Sequence, residues 1–190
     1  MADIRFFTGG GDLLAHTSAL RSVYADAFCA PPWYEDEEKA AEFAARLPVN
    51  VRRPGFTAAL AFAGREVVGF GTAWTTLIPF PTDRCYPQAA AALGPERTAK
   101  WLCHAREIDE LAVRCDVRGT GLAAELLQAV IEDAPEGRSW LLTSVRSPSA
   151  MAFHRRQGWA QATHPSPGGK GIAVFLGPNH PARSLTALPL

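Results

Sequence analysis

The strongest constraint on the fold is a glycine-marked junction in the middle of the chain, "LAVRCDVRGTGLAAELLQAV" at residues 111–130. It opens as the end of an apolar run, "EIDELAV", which predicts a strand over 107–113. It closes as an amphipathic stretch in which Leu122, Leu126, Leu127, Val130 and Ile131 form one stripe, which predicts a helix. Between the two lie Arg118, Gly119 and Gly121. Glycine leaves backbone N–H groups uncovered. The first N–H groups of a helix have no partner inside it, and the dipole there is positive. With Arg118 alongside, this junction predicts an anion site, and phosphate is the usual anion at such places.

The same signals organise the rest of the chain. "DIRFFT" predicts a first strand, stopped by Gly9, Gly10 and Gly11. From Asp12, read as an N-cap, "LLAHTSALRSVYADAF" predicts a helix that Pro31 and Pro32 then break. "EDEEKAAEFAARL" predicts a second helix whose acidic first turn suits the dipole. "PGFTAALAFAGREVVGFGTAW" reads as a β-hairpin turning near Ala63–Gly64. Residues 79–104 are proline-marked, with short helical pieces, and read as an insertion. "SWLLTSV" predicts a buried strand, and "SPSAMAFHRRQG" a short helix ending at Gly158. "WAQAT" and "GIAVFL" predict a closing hairpin around "PSPGGK". The resulting order implies an α/β (α+β) class, with a mixed central β-sheet flanked by helices. One domain is expected over 1–177, followed by a peripheral tail at 178–190.

Composition excludes several partners. Lys plus Arg equals Asp plus Glu at 19 each, so no global field favours nucleic acid or an anionic membrane. Cys29, Cys85, Cys103 and Cys115 are scattered without a CxxC pair, which argues against a metal site and against a disulfide framework. Reduced thiols in a cytoplasm are the expectation. The first residues lack a basic stretch followed by a long apolar run, so no signal peptide is expected. No segment has the roughly 18 uninterrupted apolar residues of a spanning helix.

Three readings compete for the glycine junction. "GTGLAA" satisfies GxGxxA, but a dinucleotide fingerprint follows its strand at once and has an acidic residue closing the next strand. Here "RCDVR" intervenes, and the next strand ends in Val145–Arg146. A triphosphate loop needs GK[ST], which is absent. A tight turn with a solvated arginine is the plain alternative. Against these, "VRCDVRGTGLA" resembles the acyl-coenzyme-A loop of the GNAT N-acetyltransferase family, with pattern [QR]xxGx[GA] filled by Arg118, Gly121 and Ala123. Downstream, "SPSAMAFHRRQGW" resembles that family's second signature, roughly NxxAxxxYxxxGF. Ala150, Gly158 and Trp159 match it, with Ser147 in place of Asn and His154 in place of Tyr. The element order agrees over about residues 3–177.

The resemblance implies an acyl-CoA N-acyltransferase fold, with acetyl-CoA as cosubstrate and no metal. The amides of Arg118, Gly119, Thr120, Gly121, Leu122 and Ala123 would cradle the pyrophosphate. The backbone of Leu111, Ala112 and Val113 would pair with the pantetheine arm, and an N–H near Val113 would meet the oxyanion. Acetyl transfer needs a neutral amine, and an alkyl ammonium near pKa 10 needs a base. Glu107 lies where several relatives carry one. Glu110 lies on the opposite strand face by period two, and Asp109 is a weaker candidate. An insertion-facing structural carboxylate is the alternative for Glu107. His154 stands where many relatives have a tyrosine that protonates the leaving thiolate, and an ordinary histidine would be partly charged at pH 7. It could instead simply pack beside the cosubstrate.

Ser147 replaces a pantetheine-binding asparagine, although before Pro148 a helix cap is the favoured reading. Trp33 and Tyr34 could stack an acceptor that Glu35 to Glu38 attract, though an anchored loop followed by an acidic first turn is the favoured reading. Trp101 and His104 could shape a pocket, and Cys115 reads as incidental. The expected activity is acetyl transfer from acetyl-CoA to a small-molecule or peptide amine, by direct attack in a ternary complex. The alternative is an acyl-CoA-binding sensor or interaction domain without turnover. Neither the acceptor's identity nor the oligomeric state is encoded in these motifs.

Overall fold

A computed structural model describes residues 2–29, 33–165 and 171–186. The proline break at Pro31 and Pro32, most of the final "PSPGGK" turn and the last four residues of the tail lie outside the described residues. Seven strands hydrogen-bond in the order β1-β2-β3-β4-β5-β7-β6. They are Asp3–Phe7, Thr57–Ala63, Glu66–Thr75, Arg106–Val113, Ser139–Ser144, Ala160–Gln161 and Ile172–Leu176 for β1 to β7. The helices α1 to α7 are Gly10–Leu14, Thr17–Phe28, Glu37–Asn50, Tyr86–Leu93, Pro95–Arg97, Leu122–Ile131 and Pro148–Arg156. The sheet is mixed: β1, β2 and β3 are antiparallel neighbours, β4 runs parallel to β5, and β7 is antiparallel to both β5 and β6. Contacts divide the chain into two compact units, Met1–Trp74 with Asp109–Glu132 and Thr75–Ile108 with Asp133–Leu190. Two of the three cuts fall inside strands, β3 and β4.

In the first unit, Asp36 caps α3 by accepting from the Lys39 amide at 3.0 Å, with Glu37 and Glu38 in the favourable first turn. The helix expected from Asp12 is two helices. The first begins at Gly10 behind Gly9, whose φ of +124° suits glycine, and Asp12 falls inside its first turn. Thr17 starts the second, its hydroxyl donating to the Leu14 carbonyl at 2.8 Å. Leu13, Leu20, Tyr24, Phe43, Leu47, Leu60 and Phe70 are buried together. Rings of Tyr24 and Phe43 stack at 4.6 Å, and those of Phe43 and Phe70 at 5.3 Å. On β3, a Cβ at Gly69 would lie 2.9 Å from Val113 Cγ1 and 3.0 Å from Leu126 Cδ1. Glycine there lets α6 and β4 close on the strand.

In the second unit, the insertion folds as α4, then α5 running into a π-helical turn at Thr98–Leu102. Tyr86, Leu93, Trp101, Leu102, Trp140, Val174 and Leu176 form its core. Trp101 is therefore a core residue, 7% exposed, rather than a pocket wall. The described part of the tail is anchored, not merely peripheral. His180 Nδ1 accepts from the Ala182 amide at 3.1 Å, which leaves Nε2 to donate to the Trp101 carbonyl at 2.9 Å.

Candidate functional site

The first unit carries the glycine junction. Arg114 follows the end of β4, its amide donating to the Val68 carbonyl at 2.9 Å and its guanidinium paired with Asp116 and Glu66. A short 3-10 turn, Cys115–Val117, leads into the loop. Two bonds hold that loop to the end of α2: the Cys115 amide donates to Asp26 Oδ2 at 2.6 Å, and Arg118 donates to the Ala27 carbonyl at 3.1 Å. Thr120 closes the turn by donating to the Val117 carbonyl at 2.8 Å. Gly119 and Gly121 adopt φ of +79° and +93°, with nothing within 4 Å of where a Cβ would stand. Their need for glycine is therefore conformational, not steric.

Residues 118–121 are exposed. Among the described residues, the amides of Gly119, Thr120, Gly121, Leu122 and Ala123 donate to no protein acceptor. Five uncovered donors at a helix N-terminus with a guanidinium beside them form a cradle that fits a phosphate. Beside it, Ala63, Val68, Val117, Thr120, Leu122 and Glu125 help line a hollow of about 330 Å³. The thiol of Cys115 is pushed above its usual range by desolvation and by its contact with Asp26.

β4 presents the two glutamates to different surroundings. Glu110 is half-buried in the first unit and contributes, after burial itself, to driving the Tyr24 hydroxyl far above its ordinary pKa. That hydroxyl donates to Glu35 Oε2 at 2.5 Å. Trp33 lies edge-on to Phe28 at 5.7 Å, and Tyr34 is 73% exposed with a φ of +50°. Leu111 and Val113 turn toward α6 and β3, and Ala112 is buried against the opposite, α2–α3 core.

Glu107 lies in the second unit and is 5% exposed. Its Oε1 accepts from the Tyr86 hydroxyl at 2.6 Å and its Oε2 from the Thr76 hydroxyl at 3.2 Å. The Thr76 oxygen in turn accepts from the Trp140 indole N–H at 2.8 Å. Sequence reasoning held an edge or insertion-facing carboxylate only as the alternative to a base, and it missed both hydroxyl partners and the indole behind one of them. Tyr86 and Thr76 stand 21 and 31 residues away, in a segment without periodicity.

His154 is buried among Phe153, Trp159 and Phe175. Burial lowers its pKa to about 4, so the expected partly charged imidazolium is not present at pH 7. Its Nδ1 has no hydrogen-bond partner among the described residues. Ser147 is buried and caps α7, accepting from the Ala150 amide at 3.3 Å, the role that its place before Pro148 suggests.

Comparison with known proteins agrees with this architecture. The acetyltransferase (GNAT) family profile matches residues 20–159. PH1933 from Pyrococcus horikoshii OT3 superposes with a TM-score of 0.62 at 14% identity, over 92% of this chain and 98% of that one. The ribosomal-protein-S18-alanine N-acetyltransferase of Escherichia coli gives 0.57 at 16% identity, over 95% of each chain. The PaiA N-acetyltransferase of Thermoplasma acidophilum, solved in complex with coenzyme A, gives 0.52 at 11%, over 92% and 98%. No curated protein sequence matches the chain significantly. With a profile match over residues 20–159, most of its length, the chain belongs to the GNAT acetyltransferase family.

Proposed function

We propose that this protein transfers an acetyl group from acetyl-CoA to an amine, by direct attack within a ternary complex. The observation that carries the reading is the run of uncovered amides from Gly119 to Ala123. These donors and Arg118 would hold the pyrophosphate, and the edge formed by Leu111, Ala112 and Val113 would take the pantetheine arm. Bound acetyl-CoA supplies the activated thioester. Glu107 removes the proton from the attacking amine, so that the C–N bond forms as the C–S bond breaks. A buried carboxylate is costly to maintain, and such groups cluster at functional sites. His154, held neutral, offers the sulfur a hydrogen bond, and the thiolate, near pKa 8.5 in water, regains its proton from solvent. Glu110 sits beside Tyr24 and Glu35, on the side of the chain that carries Trp33 and Tyr34, and orients the acceptor.

The test is thiol release from acetyl-CoA in the presence of a panel of primary amines, with wild type and Glu107→Gln. Amine-dependent release that Glu107→Gln lowers by about a hundredfold or more supports the reading. Binding of acetyl-CoA without amine-dependent release from any member of the panel would instead favour an acyl-CoA sensor.

A further inference from the structure

The insertion between β3 and β4 does more than fill space, because one of its side chains and one at its root reach the buried glutamate. A hydroxyl has a single proton to give. The Trp140 indole can only donate, and it donates to Thr76 Oγ1 at 2.8 Å. That contact uses one of the two acceptor lone pairs of Thr76 and leaves its one proton to meet Glu107 Oε2, 3.2 Å away. The Tyr86 hydroxyl gives its proton to Oε1 at 2.6 Å. Both carboxylate oxygens are thus met by a hydroxyl donor, an arrangement that suits an acceptor-only carboxylate. The supports are themselves immobile: Tyr86 and Trp140 are 2% and 0% exposed, and Phe80 packs edge-on to Tyr86 at 5.4 Å.

We infer that Tyr86 and Thr76, the latter oriented by Trp140, are positioning residues that hold Glu107 as an aligned anion, and that the insertion is thereby part of the catalytic apparatus. The inference rests on the reading of Glu107 as the base. It predicts an effect on turnover and not on cosubstrate binding, because neither residue lies in the phosphate loop.

The experiment is a double-mutant cycle on kcat, using acetyl-CoA and the primary amine that wild type turns over fastest. Tyr86→Phe keeps the ring and removes only the hydroxyl. It is expected to lower kcat about tenfold, the size of one lost charge-assisted hydrogen bond, with the KM for acetyl-CoA unchanged. In the Glu107→Gln background the same substitution should have no further effect. Thr76→Val should reproduce the loss and Thr76→Ser should restore it. If Glu107→Gln lowers turnover by about a hundredfold or more while Tyr86→Phe leaves kcat at the wild-type value, the positioning inference is overturned and the base assignment survives. If Glu107→Gln leaves turnover intact, the base assignment fails and the inference fails with it. A folded Tyr86→Phe protein that loses kcat equally in both backgrounds also overturns it, since the hydroxyl would then act independently of Glu107.

Discussion

At Gly119–Ala123 five consecutive amides have no partner in the described chain, whereas at Glu107 both carboxylate oxygens already receive hydroxyl protons. The loop is exposed and glycine-rich; the glutamate is buried among aromatic rings. Burial explains the contrast. A polar group in water can wait unpaired for a ligand at little cost, while one removed from water must be satisfied in place. The open region therefore keeps its donors available, while the closed region has its carboxylate satisfied within the chain. His154 is an exception to this rule, since its Nδ1 is buried and has no partner among the described residues.

The largest expected effect tests the closed region. Glu107→Gln keeps the shape and removes the proposed base, and the expected loss in kcat/KM is about 10²- to 10⁴-fold. A loss below about threefold would make Glu107 a purely structural group.

Next comes the exception. With a folded-state pKa of about 4 against an ordinary 6.5, His154 binds its proton more readily in the unfolded chain. The stability it permits is complete above pH 6.5 and is lost as pH falls toward 4, by about 3 kcal/mol in all. Urea unfolding across that range should show the slope in wild type and lose it in His154→Phe. An unchanged slope would place the titration elsewhere.

The open region answers to backbone conformation alone. Gly121→Ala meets no neighbouring atom, so its cost is the strain of a positive φ, about 1–2 kcal/mol. Relaxing that strain should tilt the amides and weaken acetyl-CoA binding by about tenfold, as measured by calorimetry. Unaltered affinity would mean that the loop does not hold the ligand. The smallest effect belongs to Ser147, whose replacement by Ala removes the α7 cap at about 1 kcal/mol. An accompanying loss of acetyl-CoA affinity would show that the hydroxyl also serves the ligand.

The two regions were unequally legible in the sequence. The loop could be read because its determinants are local: a strand pattern, two glycines, a basic residue and a helical stripe lie within 20 residues. The strand and helix order was legible for the same reason, as was the Ser147 cap before Pro148. Glu107 could be singled out, but its partners could not. Tyr86 and Thr76 come from an insertion whose fold is set by tertiary packing, and no short-range periodicity marks them. The break between α1 and α2 was also hidden, because apolar spacing continues across it while the chain turns at Ala15–His16. For His154, residue identity suggested an acid, and only the surrounding Phe153, Trp159 and Phe175 show that the ring is held neutral.

The most direct test of the central claim is a thermal-shift titration of the wild-type protein with acetyl-CoA, CoA and NADP as separate ligands. At about 100 times its dissociation constant, a ligand stabilises the folded state by roughly 2.7 kcal/mol, readily seen as a rise in Tm. A rise with acetyl-CoA and CoA but not with NADP is the predicted result. Folded protein whose Tm does not move with acetyl-CoA would contradict the assignment of the loop.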